Sequence, residues 1–240
     1  TLIQIILLLI SKMPLFDTLC ITFGTAGTGG FSIKSDGCAG YTMLQQGIIT
    51  TFMILFGVNF SAYYLILTKK FRQAFKYEEV RYYFGIIAVA IVIIALNTAH
   101  LFRNLLTAFQ QAAFQVGSII TTTGFSSTDF NQWPALSKTV LVLLMFVGAC
   151  AGSTGGGIKV SRILILCKAA KKEFQLYLHP NAVKKIKMDD KVITHDILRS
   201  TNIYISLYLM ILAASVLLIA IDSICHRAGW CNWVNSCNIC

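Results

Sequence analysis

An all-α polytopic membrane fold, built from repeated units of helix, re-entrant helix and loop, and helix, is predicted by three observations. The chain is 56% hydrophobic and only 12% charged, about half the charge fraction of an ordinary soluble domain. Residues 37–68, 82–99 and 204–221 are free of charge, and each run is long enough to cross the hydrocarbon core as a helix. Two segments rich in Gly, Thr and Ser superimpose at a constant offset, and each is followed by a long apolar stretch. Such internal repetition marks proteins that enclose a path between copies of one unit.

The elements follow in order. The opening TLIQIILLLI is too short to span a bilayer alone and has no basic leader. It reads as the end of a helix rather than a signal peptide, so the protein is expected to begin upstream. A short helix and the loop GTAGTGGFS follow, and then a single inner helix is expected across 37–68. Five of the 20 Lys and Arg residues lie in 69–81 and ten in 159–199. Both segments are placed in the cytoplasm by the positive-inside rule. No stacking platform or recognition fold accompanies them, so nucleic acid is not an expected partner. The helix at 82–99 leaves the cytoplasm and the uncharged stretch 139–158 returns to it. The piece between, uncharged from Asn104 to Thr128, holds too much Gln, Thr and Ser to face lipid. A re-entrant helix and loop is expected there, because irregular backbone survives at membrane depth only beside protein or water. The final span is 204–221.

Laying PLFDTLCITFGTAGTGGFSIKSDG on AFQQAAFQVGSIITTTGFSSTDF places Gly30, Phe31 and Ser32 over Gly124, Phe125 and Ser126. A dehydrated cation needs oxygen ligands, and backbone carbonyls supply them where a loop is open and its side chains turn away. Glycine permits the necessary backbone angles and threonine adds a hydroxyl oxygen. Thr28, Gly29, Gly30 and Phe31 are therefore one candidate cation-binding loop, and Thr122, Thr123, Gly124 and Phe125 the other, with both phenylalanines expected to pack behind their loops. The short helices should end near Thr25 and Ile119 and aim partial negative charge at the loops. Asp36 and Asp129 follow the loops as candidates for the outer mouth or for capping. Each loop taken alone also suits an ordinary Gly/Thr turn.

A further cluster, GSTGGGIK, comprises Gly152, Ser153, Thr154, Gly155, Gly156, Gly157 and Lys159. Ile158 and a membrane helix before it disqualify a phosphate-binding loop. So many weak helix formers are expected to break the helix within the membrane, where they become a candidate gate. Lys159 and Arg162 border it and suit either a partner contact or the cytoplasmic interface. Asn59 is a candidate for bonding across helices or lining the path, and Asn97 and His100 for the outer boundary.

TFGTAGTGGFS, NFSAYYLIL, SIITTTGFSSTDFNQWP, GACAGSTGGGIKVSRILIL and HPNAVKKI together resemble the Trk/Ktr/HKT superfamily of potassium transport proteins, in particular the bacterial membrane subunit of Trk or Ktr systems. The likeness runs from about Leu15 to Ile221. It implies a potassium-channel-like fold in which four repeats surround one ion path, with K+ as the transported ion and no cofactor in this chain. Residues 1–81 would be part of the second repeat and 82–178 the third, with its broken inner helix serving as an intramembrane gate. Residues 179–222 would be the linker and outer helix of the fourth. The resemblance also implies a bacterial plasma-membrane location, a homodimer, and cytoplasmic nucleotide-binding regulatory subunits facing 69–81 and 168–191. Transport would be channel-like or coupled to an ion gradient.

Residues 223–240 depart from the family, which would continue into a fourth loop and final helix. A fragment, a truncation or a shifted frame is expected to explain this, and a truncated, transport-inactive scaffold is the alternative function. Cys225, His226, Cys231, Cys237 and Cys240 lie close enough to offer zinc ligands but match no strong metal signature. Cys20, Cys150 and Cys167 read as small packing residues. His179 precedes Pro180 in a linker, where a turn suits it best. No nucleophile and base pair is defensible, so no enzyme is predicted.

Overall fold

The computed structural model describes residues 1–34, 36–70, 76–102, 104–178, 187–189 and 191–227, without the side chains at 191 and 222–227. His179 and the cysteines at 231, 237 and 240 lie outside the described residues, as do the side chains of Cys225 and His226. Two compact units are present, Thr1–Val192 and Ile193–Cys240.

In the first unit, helix α1 (Leu2–Ile10) leads to the short helix α2 (Leu15–Ala26). Pro14 precedes α2, and Asp17 in its first turn faces the positive end of the helix dipole. Helix α3 (Met43–Phe56) begins with a capping box in which Thr42 and Gln45 bond each other's backbone N–H groups. It ends at Gly57, and α4 (Phe60–Leu67) departs at 94°. The single inner helix expected over 37–68 is thus corrected: the chain enters it only at Met43 and bends sharply after Phe56.

Helix α5 (Glu78–Thr98) is the long outer span and runs on through a 3-10 turn, Ala99–Leu101. Next come α6 (Leu105–Ile120) and α7 (Ala135–Val147), the latter ending before the glycine cluster. The stretch 139–158 is thus interrupted, as expected, with the break beginning at Gly148 rather than at Gly152. Backbone from Gly148 to Lys159 is non-helical, and α8 (Val160–Leu178) resumes. A two-residue hairpin pairs β1 (Lys187–Met188) with β2 (Lys191–Val192). Its Asp189 carboxylate accepts the Glu78 N–H at 2.8 Å, while Lys168 bridges the Glu78 carboxylate and the Lys187 carbonyl, tying α5 and α8 to the hairpin.

Two apolar clusters hold the unit together. Leu8, Ile21, Ile49, Met53, Phe114 and Phe125 join α1, α2, α3 and α6. Tyr83, Ile87, Ile94, Val116, Ile120 and Leu141 join α5, α6 and α7. Within a bilayer such clusters stabilise the unit by close packing, because lipid tails are as apolar as the side chains they replace. The second unit is α9 (His195–Arg227), and its residues 195–221 are apolar and long enough to cross a membrane, as is the stretch Glu78–Leu101. The bent pair α3 and α4 makes a third candidate span.

Candidate functional site

Helices α2 and α6 end in the same way, 94 positions apart. Their caps, Gly27 and Thr121, have φ, ψ of −86°, −1° and −85°, −3°. Left-handed backbone follows at Thr28 (φ 51°) and Thr122 (φ 57°), and again at Gly30 (φ 67°) and Gly124 (φ 89°). Matching hydrogen bonds close the turns: Gly29 N–H to the Gly24 carbonyl at 2.8 Å, and Thr123 N–H to the Ser118 carbonyl at 2.9 Å. A non-glycine residue in left-handed backbone costs roughly 1–2 kcal/mol, so Thr28 and Thr122 are held there by their surroundings.

The two loops touch. A methyl group placed on Gly30 would sit 1.8 Å from the Thr123 carbonyl oxygen and 3.1 Å from the Gly124 Cα. No side chain fits at Gly30, which brings Thr28, Gly29 and Gly30 against Thr122, Thr123 and Gly124. Phe125 is buried at 2% exposure and its ring edge lies against Gly24. Phe31 is 83% exposed, which corrects the expectation that both rings pack behind their loops. Phe125 finds its pocket against Gly24 of α2, whereas no described element offers Phe31 the same surface.

A polar brace lies behind the loops. Gln46 Nε2 donates to the Cys38 and Tyr41 carbonyls at 2.9 and 3.2 Å, and its Oε1 accepts from Gln111 Nε2 at 3.0 Å. Gln111 Oε1 in turn accepts the Ser127 hydroxyl. Ser118 donates to the Phe125 carbonyl at 2.6 Å, and Gln115 to the Thr128 carbonyl at 3.3 Å. The Cys38 N–H pairs with the Ser126 carbonyl at 2.7 Å, joining the exits of the two loops. Burial first, and the Asp36 carboxylate second, push the Cys38 thiol up to about 12. Burial and then the Asp17 carboxylate raise the Tyr41 phenol above its ordinary range. Asp129 accepts the Asn131 N–H at 3.0 Å, which is the capping role among its two candidates.

The glycine cluster lies beside both loops. Thr28 Oγ1 donates to the Thr154 carbonyl at 3.0 Å, and Thr122 Oγ1 accepts the Gly156 N–H at 2.7 Å. The cluster is closed at its base, where the Val160 N–H reaches the Ala149 carbonyl at 3.0 Å. It also fills the bend between α3 and α4. A helix end leaves its last carbonyls without intrahelical donors, and here each finds one. Ile54 accepts Tyr83 Oη at 3.1 Å, Leu55 accepts Tyr63 Oη at 2.6 Å, Phe56 accepts Thr154 Oγ1 at 3.4 Å, and Gly57 accepts the Cys150 N–H at 3.0 Å. In return the Phe60 N–H, at the start of α4, donates to the Gly152 carbonyl at 3.0 Å. Asn59, expected to bond across helices or line the path, caps α4 by accepting the Ser61 N–H at 2.8 Å and also donates to Glu79 at 3.4 Å. Asn97 bonds Ser137 on α7 at 2.8 Å, and His100 sits exposed at the end of α5. Lys159 adopts φ 80° just before α8, and Arg162 Nη1 reaches the Ile158 carbonyl at 3.1 Å.

Three residues in this arrangement escaped the sequence reading: Glu79, Tyr63 and Tyr83. Glu79 stood in EEVR as one more charge beside a basic linker, and its burial at 3% exposure has no local signal. Of Cys20, Cys150 and Cys167, only Cys150 is buried. Among the described residues no group of His, Cys, Asp or Glu is placed to hold a metal ion.

Residues 8–223 match the family described as TrkH, cation transport protein. This chain belongs to that family. It is 34% identical over 212 residues to the Trk system potassium uptake protein TrkH of Salmonella typhimurium, covering 86% of this chain and 44% of that protein. It is 30% identical over 202 residues to TrkG of Escherichia coli, covering 83% and 42%. Its backbone superposes on the crystal structure of the potassium transporter TrkH from Vibrio parahaemolyticus with a TM-score of 0.85 at 28% identity, covering 90% of this chain and 47% of the other. The chain thus spans less than half the length of the relatives it matches. As a TrkH-family chain it has a predominantly α-helical, multi-pass fold of the bacterial plasma membrane.

Proposed function

We propose that this chain is part of the pore-forming subunit of a Trk/Ktr-type potassium uptake system, in which backbone carbonyls of the two touching loops select the ion. The observation that carries this reading is the contact at Gly30, where two loops of matching backbone conformation meet with no room for a side chain. Carbonyls of Thr28, Gly29, Gly30 and Phe31, with those of Thr122, Thr123, Gly124 and Phe125, are the proposed K+ ligands. The carboxyl ends of α2 and α6 point partial negative charge at them, which favours a cation over an anion. No carboxylate stands between Gly27 and Phe31 or between Thr121 and Phe125, so selection on this reading rests on carbonyl number and spacing. Gly152, Ser153, Thr154, Gly155, Gly156, Gly157 and Lys159 form the proposed gate, because a non-helical segment hydrogen-bonded to both loops would obstruct a path that runs beside them. Residues 1–81 and 82–178 act on this reading as two consecutive pore units, and 179–222 as the start of another. Assembly as a homodimer, and docking of cytoplasmic nucleotide-binding regulatory subunits on the basic segments, complete the proposal.

The test is potassium uptake in transport-deficient cells by this chain extended through four complete repeats. Uptake is expected in the extended chain, and Gly124→Ser in that chain is expected to lower its preference for K+ over Na+. A well-expressed extended chain that moves no K+ overturns the transport reading and leaves a membrane scaffold in its place.

A further inference from the structure

We infer that Glu79 is the positioning residue that pins both feet of the intramembrane glycine loop, a role that rests on the proposed gate and extends it to a residue outside the loop. Glu79 lies in the first turn of α5 and is buried at 3% exposure. Its Oε1 accepts the Ala151 N–H at 2.6 Å and the Ser161 N–H at 3.2 Å, and its Oε2 accepts Asn59 Nδ2 at 3.4 Å. Ala151 and Ser161 flank Gly152–Gly157 on either side, so one oxygen atom ties the loop's entry to its exit. The third bond adds the cap of α4, making the carboxylate the meeting point of α4, α5, the loop and α8.

Chemistry explains why a carboxylate is needed. The first N–H groups of a helix lack intrahelical acceptors and are usually met by a capping side chain of the same segment. Helix α8 is preceded by Lys159, whose ammonium group only donates. Glu79 supplies the missing acceptor from another helix, and its negative charge sits at the positive end of the α8 dipole. A carboxylate with two oxygens accepts all three bonds at once, whereas a glutamine would have to turn an NH2 group toward one of the donors. With Ala151 and Ser161 fixed, displacement of the loop is confined to the residues between them. Those residues include Thr154 and Gly156, which meet the hydroxyls of Thr28 and Thr122. Glu79 therefore sets the hinge points, and the threonines hold the moving part.

Amide hydrogen exchange on the intact protein, together with K+ flux in liposomes, tests this. In Glu79→Leu, which offers no acceptor to either N–H, exchange in peptides spanning 148–162 is expected to quicken at least tenfold. Peptides spanning 23–32 and 118–127 keep their original rates, and K+ flux changes without a change in the K+ over Na+ preference. Glu79→Asp, shorter by one methylene but still a double acceptor, gives a smaller acceleration in the same peptides. It also serves as the readout should the leucine variant not fold. Unaltered exchange at 148–162, or acceleration spread evenly over the loops at 23–32 and 118–127, overturns the proposal. Absence of K+ flux in the unsubstituted protein bears on the transport reading alone, because the exchange pattern judges Glu79 without it.

Discussion

Gly30 and Gly124 occupy matching places in their loops, yet the space around them differs. Both have left-handed backbone, but a methyl group on Gly124 would meet nothing within 4 Å, whereas one on Gly30 would enter the Thr123 carbonyl. Gly124→Ala is therefore expected to cost only the conformational strain, roughly 1–2 kcal/mol. Gly30→Ala must also move a backbone segment and is expected to cost at least about 1 kcal/mol more. Thermal unfolding in detergent, read for both variants side by side, checks the order, and equal losses would count against close contact of the loops. Cys38 gives a prediction of a different kind. Its thiol stays protonated to about 12 in the folded protein against an ordinary value of 9.0. The folded state then binds more protons between these values, so Cys38 contributes stability that is fully present below pH 9 and lost as pH rises toward 12. A thiolate-specific reagent at pH 9 is expected to leave Cys38 unmodified until the protein unfolds. Rapid labelling of the folded protein would contradict the burial.

At the scale of elements, the contact between the two loops and the glycine cluster is made by two threonine hydroxyls. Thr122→Val keeps the shape but leaves the Gly156 N–H without its acceptor, at a cost of about 1–3 kcal/mol. Amide exchange at Gly156 is expected to accelerate in this variant and to return to its original rate in Thr122→Ser. Gln46→Leu is expected to lower the unfolding midpoint as well, because it strands the carbonyls of Cys38 and Tyr41 and the amide of Gln111 together. The repeat itself was legible in the sequence, since a constant offset of identical residue types survives translation into matching caps and torsions. Helix α5 was legible for the same reason that any uninterrupted apolar run is. The bend between α3 and α4 was not, because FGVNFS lies within an apolar run with one glycine at its start. What bends it is remote: Thr154, Cys150 and Gly152 take up the bonds that the helix gives up. The exposure of Phe31 and the burial of Glu79 were hidden on similar grounds, as both depend on which surface is next to them rather than on their neighbours in sequence.

At the scale of the molecule, the first unit presents its apolar side chains unequally. Phe31, Phe16 and Phe23 are all more than 60% exposed on and after α2, while the equivalent Phe125 after α6 is buried. Replacing Phe31 by Ala is accordingly expected to change the stability of the first unit by less than about 0.5 kcal/mol. Phe125→Ala, from a filled pocket, is expected to cost about 3–5 kcal/mol. Denaturation of the two variants separates them, and a large loss at Phe31 would mean that another surface covers it.

The reciprocal pairing of the α3–α4 bend with the glycine cluster also orders the steps by which the protein is made. Residues 43–68 leave the ribosome well before residues 148–161. Until the later segment arrives, a bend after Phe56 would leave several backbone groups unmatched in the bilayer, at several kcal/mol apiece. A nascent chain at that stage is expected to keep residues 43–67 straighter, with the bend completed when the second half inserts alongside. On this expectation biogenesis of the membrane domain includes a late remodelling of a segment already in place, and a chain ending at Lys70 is expected to display a more continuous span than the 94° bend described above.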